Sequence, residues 1–166
     1  HADLRDAYEG FEFSHASIMF NAMKIPQISK LVQVGLRDIS HNEVSLINQS
    51  HNRIVAYYDP LIKQKLYSGT TWLDLCQEII AHLPEYVHIS FDVDGLDPKL
   101  CPSTGTPVPG GLELEQTYLL IRELVNSGRK IIGFDLCEVG NAEWDANVGA
   151  RIVYKLINLM NLSLNS

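Results

Sequence analysis

Short apolar runs alternate along the chain with longer stretches in which apolar residues recur every three or four positions. The short runs predict buried strands, and the recurring spacing predicts amphipathic helices. Helices are expected over 72–83, 114–125 and 145–160, with Pro84 and Gly128 ending the first two. Such alternation indicates a three-layer αβα domain with a mostly parallel sheet. The predicted strands are 31–36, 54–58, 86–91 and 130–136.

Length and composition fit a single globular domain over 1–166. Hydrophobic residues make up 46% of the chain, which is enough for a core, but no apolar stretch is long enough to span a membrane. The net charge of −7 argues against nucleic acid as the main partner and is compatible with a small cationic substrate. Cys76, Cys101 and Cys137 form no CxxC pair, so free buried thiols in a reducing cytoplasm are expected.

The stretch with the most chemical content runs from Ser90 to Pro98 and reads Ser-Phe-Asp-Val-Asp-Gly-Leu-Asp-Pro. It places the carboxylates of Asp92 and Asp94 where a predicted buried strand gives way to a turn. Ligands of parallel α/β sheets gather at the carboxyl ends of the strands. Two acids there are costly to desolvate unless a positive charge lies between them, so the motif predicts a divalent metal.

His1 and Asp3 form a second pair of metal-ligand residue types, with one residue between them. Imidazole and carboxylate donors without thiolate suit Mn, Mg, Fe or Zn rather than a soft metal. The segment 98–111 follows the two-carboxylate motif and holds four of the seven prolines. A rigid loop at the carboxyl end of a parallel strand is typical of a ligand-binding loop.

Five ordered motifs extend this pattern along the chain. They are His1-Ala2-Asp3-Leu4-Arg5, Ser14-His15-Ala16-Ser17, Ser90 to Pro98, Ser103-Thr104-Gly105-Thr106-Pro107 with Gly110-Gly111, and Glu138-Val139. Together they resemble the ureohydrolase (arginase/agmatinase) superfamily over the whole chain. The resemblance implies an arginase-like αβα fold and the hydrolysis of guanidino groups with release of urea.

The resemblance also implies a site with two Mn²⁺ ions. Carried over residue by residue, His1, Asp3, Asp92 and Asp94 are metal ligands. Two such metals lower the pKa of a bridging water, which supplies hydroxide near neutral pH for attack on the guanidinium carbon.

The same resemblance assigns roles beside the metal site. Glu138 resembles the carboxylate that grips the guanidinium, which is a natural fork-to-fork contact. Thr106 matches a threonine beside that group. His15 resembles a mobile histidine that shuttles a proton to the leaving amine, a task that suits a side chain titrating near neutrality.

Two positions bear on the choice of substrate. Arginine-specific members usually continue the H-x-D motif with Ile-Asn, whereas this chain has Leu4-Arg5, and they carry an Asp where this chain has Ser40. Agmatine is therefore expected ahead of arginine. Arginine or another guanidino acid stays open, because Arg5 is able to bind a carboxylate. Glu43 is a further substrate-binding candidate from the same loop as Ser40.

The family pattern includes elements that this sequence does not contain. They are two further metal ligands, the Asp of a D-A-H segment and the His of a G-D-H segment, and several N-terminal strands. The chain is therefore expected to be the C-terminal part of a longer single-domain enzyme, and to be inactive alone. The resemblance also implies a homo-oligomer, either a trimer or a hexamer.

Two other classes of function compete with this interpretation. A metal-dependent deacetylase has a related architecture, but the segment 104–106 and Glu138 speak against it. The second is a non-catalytic family member that acts as an interaction subunit. The acids retained at Asp92, Asp94 and Glu138 disfavour it, since a dead site has no reason to keep carboxylates together.

Overall fold

A computed structural model of the protein describes residues 1–165, so the last position of the predicted domain lies outside the described residues. Residues 1–165 form four strands and six α-helices, and none of these helices is long and apolar enough to cross a membrane. Short 3-10 turns lie at His15–Ser17 and Val93–Gly95. The strands are β1 (Leu31–Leu36), β2 (Ile54–Tyr58), β3 (Tyr86–Asp92) and β4 (Lys130–Cys137). The helices are α1 (Ile18–Ala22), α2 (His41–Gln49), α3 (Asp59–Tyr67), α4 (Trp72–Ala81), α5 (Leu114–Asn126) and α6 (Glu143–Asn165).

All four predicted strands and all three predicted helices are present, and α6 extends beyond its predicted end to Asn165. Helices α1, α2 and α3 go beyond the prediction, and two of them carry a clear sequence signal. Helix α2 begins with a capping box, in which the Ser40 hydroxyl accepts from Glu43 N and the Glu43 carboxylate accepts from Ser40 N. Helix α3 carries Pro60 in its first turn, where the missing N–H costs nothing. Both signals are local and were available in the sequence.

The strands form two parallel pairs, β1 with β2 and β3 with β4. Parallel pairing across helical connections confirms the α/β class. The predicted single sheet is not continuous, because within residues 1–165 the two pairs are not hydrogen-bonded to each other. They approach at their carboxyl ends, where a Cβ on Gly35 would lie 3.5 Å from the Gly95 carbonyl oxygen.

The main core is formed by the β3–β4 pair together with α4, α5 and α6. Leu75 of α4, Ile131 of β4 and Ile152 of α6 have no solvent exposure. As their spacing predicts, the apolar faces of these helices pack against the strands. A smaller cluster beside the β1–β2 pair contains Ala2, Leu4, Leu36 and Ile54.

Arg37 follows β1 directly and joins the two strand pairs. Its guanidinium donates to the carbonyl oxygen of Gly35 at 3.0 Å and, from Nη2, to the carbonyl oxygens of Asp94 at 2.6 Å and Val108 at 3.0 Å. One planar fork of donors thus fixes the end of β1 against both the turn after β3 and the segment 98–111.

The far end of that segment is held by α3. The backbone N–H of Gly111 donates to Oδ2 of the buried Asp59 at 3.1 Å. Gly111 has φ +102, and a Cβ there would lie 2.6 Å from the Leu96 carbonyl oxygen. Only glycine fits this close approach. The segment is therefore anchored at its end as well as at Val108.

Candidate active site

A pocket of about 180 Å³ lies where β1, β3 and β4 end. It is lined by six carboxylates and one guanidinium, so its charge favours a cationic ligand. The structure brings every site residue predicted from the sequence to this one pocket. These residues are His1, Asp3, Arg5, His15, Glu43, Asp92, Asp94, Thr106 and Glu138.

Asp94 lies at the base of a small polar cluster. Its Oδ2 lies 3.3 Å from His1 Nε2 and 3.5 Å from the Thr106 hydroxyl, which donates to it. His1 Nε2 also lies 3.0 Å from the Thr106 carbonyl oxygen, which accepts a hydrogen bond when that nitrogen carries the proton. Asp94 is buried, and its Oδ1 has no hydrogen-bond partner among residues 1–165.

Asp92 and Asp3 are held in surroundings that disfavour their negative charge. Burial, reinforced by the charge of Asp94, raises the pKa of Asp92 to about 7. Burial also raises the pKa of Asp3 to about 6, and Asp94 and Glu43 add to the shift. Asp92 Oδ1 accepts from Asp94 N at 3.0 Å, which fixes the spacing of the two carboxylates.

These donors fit a divalent cation by their chemistry. Asp94 has a buried carboxylate oxygen without a partner among residues 1–165, and the pKa values of Asp92 and Asp3 are raised, so a cation bound between these groups would be stabilised. As placed, however, no three His, Cys, Asp or Glu side chains of residues 1–165 are grouped closely enough to hold a metal ion. The described residues therefore include side chains suited to binding a metal, but these side chains are not arranged as a metal site.

Glu138 follows β4 in a left-handed backbone conformation, with φ +62. Non-glycine residues rarely adopt it, and it persists where the surroundings enforce it. The Thr104 hydroxyl donates to the Glu138 carbonyl oxygen at 2.7 Å. The Glu138 carboxylate lies beside Gly105, because a Cβ on Gly105 would be 3.5 Å from Oε2. The bend turns a side chain from the end of a strand into the pocket.

His15 is exposed at the pocket, in the 3-10 turn before α1. The ring of Tyr8 meets it edge to face at 5.4 Å, and the Arg5 guanidinium lies 5.2 Å from the centre of the Tyr8 ring. Tyr8 also lines the pocket, and sequence reasoning missed it. The segment 5–10 that contains it resembles the agmatinase version of the motif, but that resemblance gave Tyr8 no role of its own.

Glu43 lines the pocket but is only 4% exposed. Its Oε1 accepts from Leu4 N at 2.9 Å, and its Oε2 accepts from the backbone and the hydroxyl of Ser40 at 2.8 and 2.7 Å. Both oxygens already serve the chain, so a substrate contact by Glu43 stays a prediction. Asp38 was missed as a pocket residue. Its carboxylate is exposed, with Oδ2 3.7 Å from His1 Nδ1.

Parallel strand pairs, helices packed on them and a carboxylate-lined pocket at the strand ends define an α/β protein with a strand-end site. The particular family follows from comparison. The sequence model of the Arginase family matches residues 1–160, and the chain belongs to that family. This confirms the resemblance inferred from the motifs.

The relatives include two enzymes of agmatine chemistry by name. The chain is 35% identical over 164 residues to the N(1)-aminopropylagmatine ureohydrolase of Thermus thermophilus, covering 98% of this chain and 52% of the relative. It is 36% identical over 140 residues to the agmatinase of Pyrococcus horikoshii, covering 84% of this chain and 44% of the relative. The chain thus spans about half the length of the curated relatives it matches.

Solved structures confirm the arginase-like fold. Proclavaminate amidino hydrolase from Streptomyces clavuligerus matches with a TM-score of 0.81 at 22% identity, over 98% of this chain and 54% of that one. The agmatine ureohydrolase of Thermoplasma volcanium matches with a TM-score of 0.76 at 25% identity, over 98% of this chain and 52% of that one.

Proposed function

We propose that the protein is a metal-dependent ureohydrolase, which hydrolyses a guanidino C–N bond and releases urea. The observation that carries the proposal is the gathering of all nine predicted residues, from His1 to Glu138, around one acidic pocket. Membership of the Arginase family supports the same chemistry.

His1, Asp3, Asp92 and Asp94 would hold the metal, for which we propose Mn²⁺ from the family resemblance. The unpartnered Oδ1 of Asp94 and the raised pKa of Asp92 support this assignment. When bound, such a metal supplies an acidified water for hydrolysis near neutral pH. The family pattern adds an Asp and a His donor to the complete centre that we propose.

Glu138 binds the guanidinium in this proposal. A carboxylate and a guanidinium form two parallel hydrogen bonds in one plane, so the contact fixes the orientation of the reacting carbon. Gly105 leaves room beside Glu138 Oε2 that a larger residue would narrow. Thr106 flanks the same space and joins the two sides of the site, because its hydroxyl and carbonyl already contact Asp94 and His1.

Hydrolysis also requires a proton for the leaving group. Water adds to the guanidinium carbon, the bond to the substituted nitrogen breaks, and that nitrogen leaves as an amine once it gains a proton. We assign this delivery to His15, which is exposed at the pocket and carries an imidazole, the side chain most often used for general acid-base catalysis. The products are urea and a primary amine.

We propose agmatine or an extended agmatine as the substrate, ahead of arginine. Two relatives that act on such compounds by name are 35% and 36% identical to this chain over the matched residues. Ser40 has no carboxylate, and both carboxylate oxygens of Glu43 accept hydrogen bonds from Leu4 and Ser40, so neither side chain offers a free carboxylate to the amino group of arginine. Arginase-1 of Rattus norvegicus is also similar, at 33% identity over 109 residues, so arginine belongs in the test.

The test is urea release by the full-length protein, after metal removal and again after addition of Mn²⁺. Agmatine, aminopropylagmatine and arginine are compared at equal concentration. We expect turnover only with metal and the highest kcat/KM for one of the two agmatine compounds. E138Q should lower kcat/KM at least about a hundredfold, because the neutral amide loses the charged fork, whereas E115Q on α5 should not. Absence of urea with every substrate would overturn the proposal and favour a non-catalytic family member.

We further propose that the protein is cytoplasmic, from its three free cysteines, of which Cys76 and Cys101 are buried as predicted and Cys137 is exposed, contrary to the prediction. From the family resemblance we propose a homo-oligomer, a trimer or a hexamer. Light scattering on the purified full-length protein measures its mass directly. A monomer at micromolar concentration would contradict this.

A further inference from the structure

Asp145 is a buried carboxylate outside the pocket. It lies in the first turn of α6 with no solvent exposure. Its Oδ2 accepts a hydrogen bond from Ser103 N at 3.0 Å, while Oδ1 is without a partner within the described part of the chain, 1–165. Burying a carboxylate that is only partly satisfied is costly, so its contact with Ser103 needs a reason beyond packing.

Three segments converge on this side chain. The backbone of Gly140 packs closely against Ser103. A Cβ on Gly140 would be 2.2 Å from the Ser103 carbonyl oxygen and 2.8 Å from Asp145 Oδ2. No side chain fits there without moving one of its neighbours. The turn after β4, the start of the 103–106 segment and the first turn of α6 are therefore locked together.

These segments surround Glu138, the residue proposed to bind the guanidinium. Thr104, next to Ser103, donates its hydroxyl to the Glu138 carbonyl oxygen. Glu138 precedes Gly140 by two residues and keeps its left-handed conformation at φ +62. The Glu138 carboxylate lies next to Gly105, on the side where any other residue would have its Cβ. Both ends of the Glu138 turn are thus fixed to the segment that Asp145 holds.

We propose that Asp145 is a positioning residue for Glu138. Its carboxylate holds Ser103, Ser103 and Gly140 fix the turn, and Thr104 fixes the Glu138 backbone in the conformation that aims the side chain at the guanidinium. The inference rests on the proposed function in that Glu138 binds a guanidinium. Asp145 itself touches neither the pocket nor the reacting atoms.

The test compares variants of the metal-loaded full-length protein with agmatine as substrate. D145A should raise KM at least tenfold and weaken competitive inhibition by millimolar guanidinium chloride by a similar factor. D145N should keep KM within threefold, because its amide oxygen accepts the Ser103 N–H as the carboxylate does.

A second pair of variants keeps the inference testable if D145A fails to fold. T104V removes the hydroxyl that holds Glu138 and T104S retains it, so only T104V should raise KM and weaken guanidinium inhibition. D74A is the matched control, because Asp74 accepts the Thr71 N–H in the first turn of α4, away from the pocket. D74A should lower the melting temperature and leave KM unchanged.

The outcomes separate the two proposals. If the wild type releases no urea, the proposed function fails. If the wild type is active and both T104V and a folded D145A lower only the melting temperature, then Asp145 is merely structural and the inference is overturned. Rescue of KM by D145N and T104S supports it.

Discussion

The guanidinium of Arg37 donates to the backbone carbonyl oxygen of Asp94 at 2.6 Å and thereby links the β1–β2 pair to the turn that carries the metal-ligand candidates. The contact is to the main chain, so the Asp94 carboxylate stays available to the pocket. Because Arg37 donates to backbone carbonyl oxygens, it holds the turn in position without pairing with the carboxylates of the pocket.

R37K should therefore weaken both stability and metal binding. Lysine has a single ammonium group and cannot span the carbonyl oxygens of Gly35, Asp94 and Val108 together. We expect the free energy of unfolding to fall by about 2–3 kcal/mol, measured by urea denaturation, and Mn²⁺ affinity to fall in calorimetry.

Arg53 supplies the control for that variant. It donates to the Ile28 carbonyl oxygen at 2.7 Å, at the entry to β2 and outside the pocket. R53K should lower stability and leave Mn²⁺ affinity unchanged. Equal loss of affinity in both variants would remove Arg37 from the support of the site.

D94N should abolish metal-dependent turnover. Asp94 carries the unpartnered buried oxygen, and an amide replaces a charged donor by a weak one. We expect Mn²⁺ affinity to fall at least about a hundredfold, measured by calorimetry independently of activity. D97N removes a neighbouring carboxylate that pairs with Lys99 outside the pocket, and it should bind Mn²⁺ normally. Unchanged binding by D94N would exclude Asp94 as a ligand.

The contribution of Asp92 and Asp3 to the stability of the metal-free protein should fall as pH rises from about 4 to about 7. Burial raises the pKa of Asp92 to about 7 and that of Asp3 to about 6, both above the ordinary value of 3.8. A carboxyl group with a raised pKa binds more protons in the folded than in the unfolded state, so its stabilisation is complete at low pH and is lost through this window. Chemical denaturation at a series of pH values measures the slope.

The D92N variant tests the source of that slope. It should flatten the decline between pH 5 and 7, and Mn²⁺ should do the same in the wild type by compensating the charge. D74N is the control, because hydrogen bonds from Thr71 lower the pKa of Asp74 and reverse the sign of its contribution. A slope that persists in D92N would assign the effect to other groups.

G111A should be much more damaging than G69A. Both glycines have positive φ, +102 and +98, but a Cβ on Gly69 meets nothing within 4 Å, whereas one on Gly111 meets the Leu96 backbone at 2.6 Å. We expect G69A to cost about 1–2 kcal/mol from backbone strain alone. G111A should cost at least about 2 kcal/mol more, since the segment anchored by Asp59 must shift. Similar unfolding free energies would show that the segment is pliable there.

The sequence predicts the elements with strong periodicity and the residues at strand ends. Parallel strands that end at one edge bring Asp92 and Glu138 together whatever the details of the packing, and short motifs mark both positions. The start of helix α2 could also have been predicted, because Ser40 and Glu43 have the spacing of a capping box. Those predictions depend on local spacing.

Contacts between segments that are distant along the chain could not be predicted from the sequence. Asp145 meets Ser103 across 42 positions and Arg37 meets Val108 across 71, and neither residue differs in type or spacing from an ordinary surface charge. The left-handed turn at Glu138 is likewise set by tertiary contacts, because Glu has no intrinsic preference for it. Likewise, the split into two strand pairs depends on where backbones approach, which hydrophobic patterning does not encode.

The close approach of Gly140 to Ser103 makes the surroundings of Glu138 sensitive to substitution at a position that does not line the pocket. Any residue larger than glycine there must displace Ser103 or Asp145, next to the Thr104 hydroxyl that holds the Glu138 backbone. We therefore expect substitutions at position 140 to alter the binding of guanidino compounds. A screen for variants with new guanidino preferences therefore gains by including position 140 alongside the pocket itself.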